Sequence, residues 1–171
     1  MCRKKSFDIV IGNPSYIGES GNKALFRKIA GTEFGSRFYS VKMDLFYYFF
    51  HLGIEIARWK GIIALIRTHY FTTVDSGNKL RRDIREKCTI HRMIDFNEVK
   101  VFASAKGQHN MITFLQKGKD EEAAAYRSVV KKSDNTDREK LRSIMHGWRK
   151  DVVHAFKRQG DLFDRYGHIS S

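Results

Sequence analysis

Apolar β-branched runs alternate along this chain with stretches of helical period, and that alternation predicts most of its elements. Phe7-Asp8-Ile9-Val10-Ile11 reads as a strand buried on both faces, which Gly12-Asn13-Pro14 then turns sharply. Asn22 to Ala30 reads as a short basic helix, and Gly31 to Ser40 as a loop rich in Gly, Ser and aromatics, either a plain connection or a cover over a pocket. From Asp44 at the N-cap position, Leu45, Phe49, Leu52 and Ile56 recur at helical spacing, while Phe46, Phe50 and Ile54 fill a second flank. Such a helix is core, and its aromatics are packing rather than a nucleotide cradle. Lys60-Gly61 closes it and Ile62 to Ile66 forms a second strand, so strand, helix and strand make a right-handed crossover unit of a parallel sheet.

Ser76 caps a helix through Lys87 that carries Lys79, Arg81, Arg82 and Arg85, largely an ordinary solvated face with a share left for phosphate. Ile90 to Phe96 and Asn110 to Gln116 then read as an antiparallel hairpin with a long connection, Asn97 to His109. After Gly118 the character changes. Lys119-Asp120-Glu121-Glu122 is charged, Tyr126 to Val130 reads as one more strand and Asp137 to His146 as a helix. Trp148, Val152, Val153, Phe156 and Leu162 then thread a basic tail. The fold class is α/β, one core with an extension.

Composition narrows the partners. The 171 residues carry a formal charge of +13, and with 13% aromatic residues that favours nucleic acid over a membrane. No apolar run approaches the length of a membrane span, and Cys-Arg-Lys-Lys-Ser before a strand does not resemble a secretory signal. Two cysteines, Cys2 and Cys88, are too few for a disulfide frame or a zinc site, which fits a reducing cytoplasm. The seven histidines have no metal-ligand spacing, and no Ser-His-Asp or paired-carboxylate pattern stands out.

The candidate chemistry lies in the first turn. An adenine exocyclic amine is a poor nucleophile, because its lone pair is delocalised into the ring, until two fixed acceptors polarise its N–H bonds. The Asn13 side-chain oxygen and the Pro14 carbonyl suit that task, placed where positive charge develops on the nitrogen during methyl transfer. Tyr16 offers a π-face on which a base taken out of its duplex can stack. The plainer alternative is that Asn-Pro merely turns the chain after a strand.

Asn13-Pro14-Ser15-Tyr16, preceded by Phe-Asp-Ile-Val-Ile-Gly, resembles the Asn-Pro-Pro-Tyr motif of adenine-specific DNA methyltransferases, particularly the type IIG restriction-modification enzymes. Lys42-Met43-Asp44-Leu45-Phe46, Gly61 to Ile66, Lys79-Leu80-Arg81, Ile94-Asp95-Phe96, Val101-Phe102 and Asn110-Met111-Ile112 follow in the family's order over the first two thirds of the chain. Two positions depart. Ser15 replaces a second proline and loosens the turn, and Arg67-Thr68-His69 stands where the family has Thr-Pro-Asn. His69 is then either a phosphate ligand or a structural polar residue.

The resemblance implies the second half of a Rossmann-like methyltransferase sheet with a final antiparallel hairpin, plus a basic C-terminal extension. Residues 1–118 would be the catalytic half-domain, and 119–171 a connector toward a target-recognition region. It implies Asn13, Pro14 and Tyr16 as catalytic residues, Tyr16 and Phe102 against the target base, and Asn13 and Pro14 beside S-adenosylmethionine. No Gly-x-Gly turn for that cofactor occurs in the sequence, so a missing N-terminal half is expected as partner alongside double-stranded DNA. Two other readings remain: methylation of an RNA base or a protein glutamine, and a non-enzymatic nucleic-acid-binding module.

Overall fold

In the computed structural model, which describes residues 6–97, 101, 109–130, 138–146 and 152–169, six strands form one mixed sheet. Strand β1 (Phe7–Gly12) is followed by helices α1 (Lys23–Ala30), α2 (Glu33–Phe38) and α3 (Leu45–Ile56) and by strand β2 (Ala57–Thr68). Helix α4 (Asn78–Lys87), strands β3 (Cys88–Asp95), β4 (Asn110–Lys117) and β5 (Ala124–Val130), helix α5 (Arg138–His146) and strand β6 (Val152–Arg158) complete the order. The spatial order is β1-β2-β4-β3-β5-β6. β1 lies parallel to β2, with Ile11 opposite Ala64, and α3 is in the connection. The expected hairpin is present: β4 runs antiparallel to both β3 and β2, inserting between them.

Beyond the hairpin the sheet continues. β5 adds parallel to β3 and β6 antiparallel to β5, with Tyr126 opposite Phe156. β6 was not foreseen, because Val-Val-His-Ala-Phe-Lys-Arg mixes apolar and basic residues without the alternation that marks a half-buried strand.

Four local expectations are corrected. β1 is not buried on both faces: Ile9 is 65% and Ile11 80% exposed, because nothing among the described residues packs over that face, and β1, paired there only with β2, also lies at the sheet edge. Its Val10 face is covered by α3, which approaches closely at Gly53. A side-chain carbon added there would sit 3.1 Å from Ile63 and 3.5 Å from Val10. The stretch 31–40 contains α2, capped by the Thr32 hydroxyl accepting from the Gly35 amide at 2.9 Å. Its aromatics are packed inward, with Phe38 stacked on His51 at 3.8 Å.

α3 ends at Ile56, and Lys60-Gly61 belongs to β2 instead. There Lys60 takes a left-handed φ of 62° where the register with β1 is interrupted, the geometry of a bulge rather than a helix cap. Of the two apolar stripes on α3, the buried one is Phe46, Phe50 and Ile54, with Tyr47; Phe49 is 42% and Leu52 41% exposed. Asp44 occupies the N-cap position without a side-chain capping bond. Ser76 lies in a short 3-10 turn before α4 rather than capping it, with its hydroxyl 3.5 Å from that of Tyr47.

Phe26, Phe46, Phe50, Phe71, Ile54, Ile63 and Leu80 lead one core, formed by α1 to α4 on one side of the sheet. A second, smaller cluster of Ile94, Phe96, Val130, Ile144 and Val152 brings in α5. Cys88, where α4 passes into β3, is buried, and that burial pushes its thiol up to about 12. Among the described residues no helix is long and apolar enough to cross a membrane. Nor does any cluster of His, Cys, Asp and Glu among them suit a metal ion.

Candidate active site

The carboxyl ends of β1 and β2 lie side by side, with Gly12 opposite Leu65, so the chain leaving β1 emerges at an edge where α/β sheets commonly hold ligands. Asn13 is exposed, Pro14 is buried, and Ser15 and Tyr16 are exposed. This profile follows from the sequence: the proline turns the strand end inward while the polar amide stays at the surface. Downstream, the Leu45 amide donates to the Ile17 carbonyl at 2.8 Å and the Glu19 amide to the Met43 carbonyl at 3.0 Å. The turn is thus tied to the start of α3.

Two residues hold the turn from beneath. Arg67, near the end of β2 and only 2% exposed, donates from one terminal nitrogen to the Pro14 carbonyl at 2.5 Å and from the other to the Ser15 carbonyl at 3.0 Å. Its guanidinium carbon lies 3.5 Å from the centre of the Tyr16 ring and 4.9 Å from that of Phe46, a cation between two aromatic faces. Asn110, the first residue of β4 and opposite Thr68, accepts the Tyr16 hydroxyl at 2.6 Å through Oδ1. Tyr16 is therefore fixed both at its face and at its tip while remaining 39% exposed.

The electrostatics are those of a buried cation with a carboxylate nearby. Burial lowers the Arg67 pKa from its ordinary value, with Tyr16 and Asp44 opposing the shift. Burial raises that of the half-buried Asp44 carboxyl, with the charge of Arg67 pulling it back. His69 lies at the same edge. Its backbone amide donates to the His109 carbonyl at 3.2 Å, the two rings meet edge-on at 5.3 Å, and burial pushes its imidazole pKa down. A half-buried ring whose protonated form is disfavoured fits a structural polar residue better than a phosphate ligand.

Of the residues expected at the site, Asn13, Pro14 and Tyr16 are gathered in this turn, and Phe102 lies outside the described residues. Sequence reasoning gave Arg67 and Asn110 no role. Both were visible only as polar residues at strand ends, and their partners are 53 and 94 positions away.

Comparisons with known proteins bear on the fold and the family. The model of the Eco57I restriction-modification methylase family matches residues 2–102. The type II restriction enzyme and methyltransferase RM.Eco57I of Escherichia coli is 28% identical over 114 residues, 65% of this chain and 11% of that protein. Among solved structures, a type I restriction-modification methyltransferase subunit from Streptococcus thermophilus has a TM-score of 0.68 at 14% identity, covering 97% of this chain and 37% of its own. The type IIG restriction endonuclease BpuSI gives 0.65 at 13% identity, over 94% and 20%. The chain thus spans 11% of the length of the curated relative it matches. Its sheet is that of a Rossmann-like methyltransferase, and the chain belongs to the Eco57I restriction-modification methylase family.

Proposed function

We propose that this chain contributes the target-base side of a DNA methyltransferase that modifies the exocyclic amine of an adenine flipped out of double-stranded DNA. The observation that carries this reading is the Asn13–Tyr16 turn, which is tied down by Arg67 and Asn110 yet leaves both Asn13 and Tyr16 exposed. In this reading the Asn13 oxygen accepts one amine hydrogen. The Pro14 carbonyl accepts the other through the lone pair that Arg67 does not use, since a carbonyl oxygen has two. Tyr16 stacks on the base, and Phe102 would be a second aromatic contact to it. Both acceptors would meet the nitrogen where positive charge develops, and the Pro14 carbonyl is already held for it by Arg67.

S-adenosylmethionine would supply the methyl group. Asn13 and Pro14 would border it, but the chain has no Gly-x-Gly turn, so its residues fit the target side of the reaction and not a whole cofactor site. The reading therefore includes a complementing catalytic half as partner, residues 119–171 leading toward a target-recognition region, and work in the cytoplasm. The net charge of +13 supports a polyanionic substrate. The experiment is transfer of a labelled methyl group to duplex DNA by this chain assembled with the rest of its protein. Adenine labelling that Asn13→Ala abolishes supports the reading, and labelling of an RNA base or a protein glutamine instead overturns it.

A further inference from the structure

We propose that Arg67 is a positioning residue that locks the Asn13–Tyr16 turn, supplying from a side chain the backbone rigidity that Ser15 withholds. This deepens the reading of the turn as the base site and rests on it.

Ser15 leaves the backbone after Pro14 freer than a proline there would. A proline fixes its own φ and also restricts the residue before it. Two successive carbonyls, those of Pro14 and Ser15, are the groups whose relative direction that freedom would blur. One guanidinium bridges both, from its two terminal nitrogens. Because the guanidinium is planar and rigid, with its donors in a fixed fork, fixing one carbonyl to it fixes the other. The same group lies against the Tyr16 ring at 3.5 Å, so the acceptor and the stacking face are set by a single side chain.

Arg67 is itself held. It comes from a central strand with Met111 opposite it on β4, and it rests on Phe46 of α3. Its Nε is buried without a hydrogen bond to a described residue, so its bonds to the described residues are made by its two terminal nitrogens alone. Lysine is a point charge without a fork, and it would engage one carbonyl but leave the pair free to rotate.

The test has two readouts on the full chain and its assembled enzyme. Amide hydrogen exchange on the 171-residue chain should show Arg67→Met speeding the Glu19 amide, which closes the turn by donating to the Met43 carbonyl, by about tenfold or more, the scale of a lost charge-assisted hydrogen bond. Peptides in α3 and β4 should keep their protection. Should Arg67→Met fail to fold, Arg67→Lys keeps the charge and should still speed exchange of the turn. In the assembled enzyme, either variant should lower kcat by about 10- to 100-fold with DNA affinity unchanged, the scale of a misplaced reacting group. Adding Ser15→Pro to the Arg67 variant should restore both protection and rate. The Ser15 amide makes no hydrogen bond to a described residue that a proline would remove.

Unchanged turn exchange in both Arg67 variants overturns the proposal. So does a rise in activity, which would make Arg67 a plug over the Pro14 carbonyl, and so does a double variant no better than the single one. A parent enzyme without adenine methylation would overturn the proposed function, while the exchange measurement would still report on Arg67.

Discussion

His51 and Asp83 meet in the interior, with the imidazole Nδ1 2.6 Å from a carboxylate oxygen and both side chains almost wholly buried. Phe38 stacks on the ring, and Lys87 pairs with the other carboxylate oxygen. Burial lowers the His51 pKa despite the carboxylate, and its Nε2 is buried without a described partner. A proton there would add an unsatisfied N–H to a dry site. Burial would raise the Asp83 pKa, but the hydrogen bonds from His51 and Lys87 outweigh it and leave it lowered.

Stability should therefore fall in mildly acidic solution. The unfolded chain binds a proton at His51 near pH 6.5, while the folded chain resists it. Stability is thus fully present above about pH 6.5 and is lost as pH falls toward the folded-state value. His69 shifts in the same sense. Urea midpoints measured from pH 8 to pH 5 should decline, and His51→Gln, which keeps a donor toward Asp83 but cannot titrate, should flatten part of the decline. An unaltered slope in that variant would mean His51 does not contribute.

For Asn13→Ala, methyl transfer in the assembled enzyme should fall on the order of a hundred- to thousandfold, the usual loss of one preorganised partner for developing charge. DNA binding at the same salt should hardly change, because most affinity comes from phosphate contacts. Asn13 is exposed and makes no hydrogen bond to a described residue, so the fold should survive. Activity within a few-fold of the parent would leave it a turn residue only.

Tyr16 allows its face and its hydroxyl to be separated. Tyr16→Phe removes the bond to Asn110 and should cost about 1 kcal/mol of stability with base flipping retained. Tyr16→Ala should remove stacking worth roughly 1 to 3 kcal/mol. Fluorescence of 2-aminopurine at the target position, read beside thermal unfolding, distinguishes the two losses. Equal flipping signals in both variants would take the ring out of the site.

On α4, neighbouring arginines should behave oppositely. Arg81 is 2% exposed and donates to the carbonyls of Phe71 at 2.8 Å, Val74 at 2.6 Å and Gly167 at 2.9 Å, joining α4 to the segments on either side of it. Arg81→Met strands these acceptors and should cost about 2 to 4 kcal/mol in denaturant unfolding. Arg82, exposed and paired with Glu86 one helical turn away, should change stability by less than about 0.5 kcal/mol as Ala. Similar losses in the two would contradict the assignment.

That contrast marks what the chain order could and could not tell. Alternation and period identified β1, β2, the hairpin and α4 as elements, because those signals are local. They could not separate Arg81 from Arg82, since the carbonyls that claim Arg81 lie as far off as Gly167. Likewise the run Phe7 to Ile11 identified a strand but not its place in the sheet, and an apolar strand at an edge reads the same as one at the centre. On α3, two apolar stripes fit the period, and only packing on β2 selected Phe46 and Phe50 over Phe49 and Leu52. Within the candidate site, Asn13, Pro14 and Tyr16 were legible as a contiguous motif. Arg67 was legible only as a residue of the same sheet edge, because an arginine at the end of an apolar strand does not say which carbonyls it will reach.

The edge of β1, unpaired among the described residues, would give the chain taken by itself two opposite responses to ionic strength. Ile9 and Ile11 in water beside a row of ladder groups make a surface that another strand can join, and the charge of +13 opposes two such copies meeting. Raising salt from 0.1 M to 1 M shortens the reach of that repulsion from about 10 Å to about 3 Å. Self-association through this edge should therefore strengthen in the same buffers in which attachment to a polyanion weakens. Concentrated salt, the ordinary means of stripping nucleic acid from a basic protein, would here exchange one form of adhesion for another.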